Sequence, residues 1–406
     1  MLKLFHLFTL FVLTSVARAQ GVTVFLLDDV GRLDLDSVMA SGYAPNLVAI
    51  AQNGFQFRNA HAMALCQPTR RSLDFGNFNA RWTGRVCTDN LSIPLEEVSL
   101  AELVEVPSMF FGKWHEGANP TGGTWPFTPQ AHGWGGWRGG VAGGVSACGG
   151  RDYFNWKDVE DGTVTFLFDT YQPTVQFNRW ASWWNVAARG PRLALYSTPL
   201  AHSPYHRPPN VWLPVGYPTT STDLARFESM IVACDQAIGR MLARMSVSDI
   251  LIVVGDNGTP GGLIGTTRAK GTTYERGINV PLIVYGGGFK GTSDALVHVV
   301  DVYATVAELF GIPEDPGRDS RSLIPLMLGS KSPVHAYVLC GIQGHDAFQD
   351  DVCARSLRFK LRRSGVGEQF FDLYEDPSEL IDLIADPAYA KLIEAHRVWL
   401  DAELED

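Results

Sequence analysis

No internal stretch of this sequence approaches the roughly 20 consecutive apolar residues that a membrane helix needs, which excludes a transporter or channel. Cysteine is scarce, with six in 406 residues. No two of them form a CxxC pair, so neither a zinc knuckle nor a disulfide-built scaffold organises the chain. Positive charge is short as well: 33 Lys and Arg face 43 Asp and Glu, a formal net charge of -10. So acidic a chain is a poor general binder of nucleic acid or of anionic membranes. Repeats, low-complexity tracts and flexible linkers are missing. What is present, 46% hydrophobic and 19% charged residues, is the composition of a folded globular protein with ample sequence for a large core.

The one long apolar run, Leu4 to Val16, stands between Lys3 and Ala17-Arg18-Ala19. A basic start, a short apolar stretch and an A-x-A site read as a secretory signal over residues 1–19; a buried first helix is the alternative. Export points to the periplasm or the medium, or to lysosomal or extracellular space in a eukaryote. Removing the segment deletes Lys3 and Arg18 and takes the formal charge to -12. An exported chain also permits disulfides, Cys340 with Cys353 and Cys87 with Cys148 being the pairings considered. Asn90-Leu91-Ser92 and Asn257-Gly258-Thr259 are glycosylation sequons.

Val22 to Leu27 is a continuous apolar run rich in β-branched residues and ends in Asp28-Asp29. Such a run suits a strand covered on both faces. Similar runs occur at 108–111, 193–196, 250–254 and 282–285. Between them lie helical patterns, clearest at 224–245 and at 300–310, where Gly311 and Pro313 form a stop signal. Strands alternating with helices predict an α/β domain with a mostly parallel central sheet. Residues 117–156, loaded with glycine and with Trp125, Trp134, Trp137 and Trp156, read as a long shaped loop region. From residue 333 the text changes to strand-like pieces at 336–340 and 356–361 and a terminal helix at 387–403. The predicted organisation is therefore a signal over 1–19, a main domain over 20–332 and a small C-terminal α+β subdomain over 333–406.

Asp28-Asp29 and Asp256-Asn257 each follow a predicted buried strand directly. Ligand sites in open α/β sheets lie off the carboxyl ends of strands, so the two pairs can converge there. Oxygen donors of this kind suit calcium or magnesium rather than zinc; each pair alone reads more readily as a turn, and it is the two together at strand ends that point to a metal site. In Cys66-Gln67-Pro68-Thr69-Arg70, Pro68 marks the first turn of a helix and places Cys66 at its N-terminus. A thiol there is expected to be acidified, with Arg70 as a fixed charge for an oxyanion; the bland alternative is a buried structural cysteine. If the strand at 108–111 continues, Lys113 and His115 share a face. A lysine and a histidine facing one site can hold an anion and move a proton, although such pairs are common on surfaces. His202 lies just past a strand, and Lys270 sits in a polar loop after the second acidic pair.

Taken in order, these residues resemble the type I sulfatases of the alkaline phosphatase-like superfamily, over Val22 to about Leu383. The resemblance is carried by Asp28-Asp29, by C-x-P-x-R at Cys66 to Arg70, and by Gly112-Lys113-Trp114-His115. It continues through His202-Ser203-Pro204, Gly255-Asp256-Asn257-Gly258, and Lys270-Gly271-Thr272-Thr273-Tyr274-Glu275. Ser320-Arg321-Ser322-Leu323 and Phe371-Asp372-Leu373-Tyr374-Glu375-Asp376-Pro377 resemble the family's closing motifs. C-x-P-x-R alone is only moderately specific, but the ordered set is very specific.

The resemblance implies a secreted sulfuric ester hydrolase with a large parallel sheet sandwiched by helices. It implies that Cys66 is converted to formylglycine by a formylglycine-generating enzyme, and that Asp28, Asp29, Asp256, Asn257 and position 66 hold calcium, or magnesium. It further implies that Arg70, Lys113 and Lys270 neutralise sulfuryl charge, that His202 protonates the leaving alcohol, and that His115 is the base for sulfate release. The implied partner is a sulfate ester, sulfated carbohydrate being one candidate, with neither nucleic acid nor membrane involved. Two departures stand out. Thr69 replaces the family's serine, and Leu73-Asp74-Phe75-Gly76-Asn77 stands where a Leu-Thr-Gly-Arg-like run is usual. The competing expectations are a phosphodiester or phosphonate ester hydrolase of the same superfamily, an unmatured protein that binds sulfated glycans, and a hydrolase using the Cys66 thiol directly.

Overall fold

The computed structural model describes residues 19–78, 93–116, 128–140, 150–187, 190–342 and 351–405. The apolar runs become strands: β1 (Gly21–Leu27), β2 (Phe55–Phe57), β3 (Ala60–His61), β4 (Ser108–Gly112), β5 (Trp137–Gly140), β6 (Trp156–Glu160), β7 (Thr163–Leu167), β8 (Arg192–Ser197), β9 (Asp249–Gly255), β10 (Leu282–Tyr285), β11 (Gly291–Ser293) and β12 (Val297–His298). Ten of them form one sheet in the order β11-β2-β10-β9-β1-β8-β4-β5-β6-β7. Its centre, β9-β1-β8-β4-β5, is parallel throughout. Antiparallel pairs occur only toward the two sides, where β10 joins β9 and β2, and where β5 passes to β6 and β7.

Alternation along β1 shows why the centre is apolar on both faces. Val22, Val24 and Leu26 enter one core with Leu73, Leu100, Val104, Val302 and Val306. These come from the helices α3 (Cys66–Phe75), α4 (Leu100–Val104) and α7 (Asp301–Leu309). Phe25 and Leu27 enter the other core with Leu35, Leu47, Trp180, Ile231 and Ile238. Those belong to α1 (Arg32–Ala40), α2 (Pro45–Asn53), α5 (Gln172–Val186) and α6 (Asp223–Leu242). Each fully buried aliphatic or aromatic side chain contributes about 1.5–3 kcal/mol through apolar burial. Thr222 starts α6 by accepting the Ala225 N–H at 3.1 Å.

The C-terminal part is a four-stranded antiparallel meander, β13 (Tyr337–Ile342), β14 (Asp351–Ser356), β15 (Phe359–Ser364) and β16 (Gly367–Asp372), covered by α8 (Ala390–Glu405) through Ile393 and Leu400. The strand expected at 356–361 is instead two strand ends and a tight turn. No Gly or Pro marks that turn, because the Ser356 hydroxyl closes it by accepting the Phe359 N–H at 3.1 Å. Cys340 and Cys353 face each other across β13 and β14 as free, buried thiols. Cys87 and Cys148 lie outside the described residues, as does the proposed signal except Ala19, whose N–H donates to Leu309 O at 3.0 Å.

The tryptophan-rich segment corrects its expectation. Trp137 opens β5 and Trp156 opens β6, so part of the expected loop region is sheet. Trp134, Trp137 and Trp156 are fully buried core side chains, and Trp125 is outside the described residues. Among the described residues no helix is long and apolar enough to cross a membrane.

Candidate active site

Four adjacent strands, β9-β1-β8-β4, end side by side and deliver polar residues at one edge. Asp256 and Asn257 follow β9, Asp28 and Asp29 follow β1, Ser197 ends β8, and Lys113 follows β4. Lys113 Nζ donates to Asp28 Oδ2 at 2.8 Å. The Asp29 N–H donates to Asp256 Oδ1 at 2.9 Å, and Asn257 Nδ2 donates to Asp29 Oδ1 at 2.9 Å. Lys270 reaches the same Asp29 oxygen from its loop. Gly112 makes the β4 exit possible: its φ is +96°, and a Cβ there would stand 1.9 Å from the Ser197 carbonyl oxygen.

Helix α3 points its first turn into this edge. Pro68 is tolerated in that turn because the missing N–H would lack a helical partner anyway. Every residue of α3 is buried, so its polar side chains must find partners. Thr69 Oγ1 donates to Leu65 O at 3.0 Å. Arg70 spans the site: Nη2 donates to Asp256 Oδ2 at 2.8 Å, Nη1 to Lys113 O at 3.1 Å and also to Ser197 Oγ. Cys66 begins the helix, with Sγ 3.2 Å from His115 Nδ1. The helix ends at Gly76 in the left-handed region, where a Cβ would meet the Tyr303 ring at 2.5 Å.

His202 completes the cluster. Its Nε2 is 3.9 Å from Asp29 Oδ2. Nδ1 lies 2.9 Å from Ser203 O, and a carbonyl only accepts, so Nδ1 carries the hydrogen and Nε2 faces the carboxylates. Ligand atoms of Asp28, Asp29 and His202 all lie within 4.8 Å of one another.

Electrostatics differ from one group to the next. Burial raises the Asp28 carboxyl, but Lys113 and Arg70 outweigh it and hold Asp28 well below the usual carboxylate range. Burial and the neighbouring Asp28 push Asp256 up to about 7 against the pull of Arg70. Burial opposes the charge on Lys270, yet Asp29 keeps its ammonium firmly protonated. The expected acidified thiol is not found. Burial pushes Cys66 up, and Lys113 and Lys270 do not overcome it. His115 is driven well below its ordinary value by burial, then by Lys113 and Arg70, so it is neutral and basic in form.

The donor set fits a hard divalent cation. Asp28 Oδ1 and Asn257 Oδ1 are buried without a hydrogen-bond partner, which is costly unless a positive group satisfies them. Asp256 is a weaker donor in this arrangement, since both its oxygens already accept from Asp29 N and Arg70. Asn257 is fully buried here, so its sequon is no glycosylation site in the folded protein.

All the residues singled out in the sequence are therefore brought together, though not always for the expected reason. Lys113 and His115 do not share a strand face. β4 stops at Gly112, and His115 adopts φ +52°, so both reach the site from an irregular turn. Ser197 went unrecognised: a serine ending an apolar strand carries no distinctive signal. A cavity of about 570 Å³ near α1 contains none of these residues. Its arginines Arg32, Arg58, Arg276 and Arg355 are each paired with a protein carboxylate.

Comparison with known proteins identifies the family. The sulfatase family profile matches residues 21–312. Human arylsulfatase A is 25% identical, over 90% of this chain and 78% of its own length. A Delta 4,5-hexuronate-2-O-sulfatase from Bacteroides thetaiotaomicron is 30% identical over a match spanning 32% of this chain and only 29% of that protein. The crystal structure of Ps i-CgsB in complex with k-i-k-neocarrahexaose has TM-score 0.79 at 17% identity, covering 96% of this chain and 93% of that one. BT4656 in complex with its substrate D-glucosamine-2-N,6-O-disulfate gives TM-score 0.75 at 16% identity, over 96% and 99%. The chain belongs to the sulfatase family, a family of sulfuric ester hydrolases.

Proposed function

We propose that this chain hydrolyses a sulfuric monoester, with position 66 matured to formylglycine and a divalent cation, calcium before magnesium, held by Asp28, Asp29 and Asn257 with Asp256 behind them. The observation that carries this reading is Cys66 at a helix start, 3.2 Å from a neutral imidazole and beside buried carboxylate and amide oxygens lacking partners. Carried as a hydrated aldehyde, position 66 supplies a nucleophilic oxygen and an exit for sulfate by collapse to the aldehyde; the cation supplies Lewis acidity.

The chain's own residues do the rest. Arg70, Lys113 and Lys270 present fixed positive charge where sulfuryl oxygens gather negative charge, stabilisation that needs no reorganisation during reaction. His202, with Nε2 facing the site, is placed to protonate the leaving alcohol in its imidazolium form, with Nδ1–H anchored on the Ser203 carbonyl. His115 is placed to take a proton from the group at position 66. Residues 20–332 form the catalytic unit in this reading, and 333–406 a subdomain. The substrate is a sulfated carbohydrate, the class to which the D-glucosamine-2-N,6-O-disulfate bound by one of the similar structures belongs. Maturation by a formylglycine-generating enzyme accompanies export through the 1–19 segment.

The test is turnover of matched aryl sulfate, phosphate and phosphonate esters by protein purified from its own host. Faster turnover of the sulfate, lost in Cys66→Ala, supports the reading. Preference for the phosphate or phosphonate ester would reassign the site to the other hydrolases of the superfamily.

A further inference from the structure

Asp74 belongs to the stretch in which this chain departs from the family's usual run, and it lies two turns along α3 from Cys66. It is fully buried, and so is Glu116, the residue after His115. Asp74 Oδ2 accepts the Trp134 indole N–H at 3.0 Å, and Oδ1 accepts the Leu100 N–H at 3.3 Å. The Asp74 and Glu116 carboxyls are hydrogen-bonding neighbours that shift each other's acidity, and Glu116 Oε2 is buried with no N–H or O–H group donating to it. Two carboxyl groups can share a hydrogen bond only through a retained proton. Both Asp74 oxygens already accept from N–H groups, so once Asp74 is ionised the remaining proton of the pair resides on Glu116, which donates.

The same helix grips this segment at two further points. The Glu116 carbonyl accepts from Arg71, and the Lys113 carbonyl accepts from Arg70 at 3.1 Å. Between those grips His115 has φ +52°, a left-handed conformation that costs a residue with a Cβ about 1–2 kcal/mol. A conformation of that cost persists only where its surroundings impose it.

We propose that the Asp74–Glu116 carboxyl pair is a positioning device for His115: it fastens the residue-113–116 turn to α3, so that the left-handed His115 presents Nδ1 to position 66. The inference rests on the reading of His115 as the base that acts at position 66. It also gives Asp74 a physical role in this chain. An apolar side chain there would leave Glu116 buried without a hydrogen-bond acceptor, the costly half of a broken polar pair. The charged groups acting on the pair are Arg70 and Arg71 on α3 and Glu102 on α4.

The experiment compares E116Q, E116A, E116L, D74A and the double variant D74A/E116A. A glutamine amide still donates to Asp74, so E116Q should keep kcat within about twofold. E116A and D74A should lower kcat about 10- to 100-fold with KM unchanged within about twofold, the effect of a misplaced reacting group. The double variant should be no worse than the poorer single one, because both remove one link. E116L fills the space without the hydrogen bond and serves if E116A fails to fold.

A second readout is independent of turnover: the 15N imidazole resonances of His115 in the unconverted Cys66 protein. They should shift in E116A and D74A and stay in place in E116Q. Unchanged resonances and unchanged kcat in E116A and D74A would overturn the proposal. So would loss of kcat in E116Q equal to that in E116A. Wild-type protein inert on sulfate esters, with the resonances moving as stated, would sink the sulfatase reading and leave the clamp standing.

Discussion

His115 Nδ1 lies 3.2 Å from Cys66 Sγ, although 49 positions separate the two residues and they sit on different elements. Burial and the nearby Lys113 and Arg70 keep that imidazole neutral. A neutral imidazole at hydrogen-bond range is a proton acceptor ready for use. His115→Ala should therefore lower kcat by about 10²–10⁴-fold. Sulfated enzyme should accumulate in a burst if release, not attack, is the step impaired. Stopped-flow turnover with an aryl sulfate checks this, and a steady rate without a burst would move His115 to the attack step.

Removing divalent cations should abolish activity and lower the melting temperature, with calcium restoring both. The cation binds only the folded chain, so its loss removes that stabilisation. It also leaves Asp28 Oδ1 and Asn257 Oδ1 buried without partners. Melting curves with and without chelator decide the matter. Identical curves and unchanged turnover would favour the thiol-based alternative, already weakened because burial pushes the Cys66 thiol up.

Arg70 is fully buried and joins three strand ends through Asp256, Ser197 and the Lys113 carbonyl. Arg70→Ala removes the partner of buried carboxylates and should cost about 3–5 kcal/mol. Arg70→Lys keeps the charge but not the fork, so it should fold better than the alanine variant and still lose most activity. Urea midpoints and turnover of the two variants separate these effects.

Asp74 makes a pH prediction whose sign is fixed. Burial pushes its carboxyl up to about 7, above the ordinary 3.8 of the unfolded chain. Over that window the folded state binds more protons than the unfolded state, so this group's contribution to stability falls as pH rises from about 4 to about 7. Its limiting slope is about 1.4 kcal/mol per pH unit. Asp74→Asn should flatten this part of the stability profile. Urea unfolding at pH 5 and pH 7 measures it, and equal pH dependence in both proteins would count against a raised Asp74.

Four of the central strands, β1, β4, β8 and β9, were legible because a parallel strand covered on both faces must be a short, continuous apolar run. β1 and β9 are that pattern followed by acidic pairs, so half the site could be placed from those runs alone. The strands β5 to β7 and helix α5 were not foreseen: glycine- and tryptophan-rich text hides both periodicities. Lys113 and His115 were correctly brought to one site by an incorrect route, since the positive φ of Gly112 and of His115 leaves no mark on side-chain alternation. The thiol expectation failed because a helix N-terminus can be recognised in a sequence, whereas the depth of its burial cannot. Asp74 was visible as a departure. Its partners Glu116, Trp134 and the Leu100 N–H come from three separate segments, and only the folded chain brings them together.

The central claim is that position 66 works as an aldehyde and not as a thiol, and peptide mass spectrometry across residue 66 tests it most directly. The protein must come from its own host, so that maturation has had its chance. The account predicts a peptide in which one oxygen replaces the sulfur and two hydrogens of Cys66, together with its hydrate. An intact thiol in active protein would contradict it.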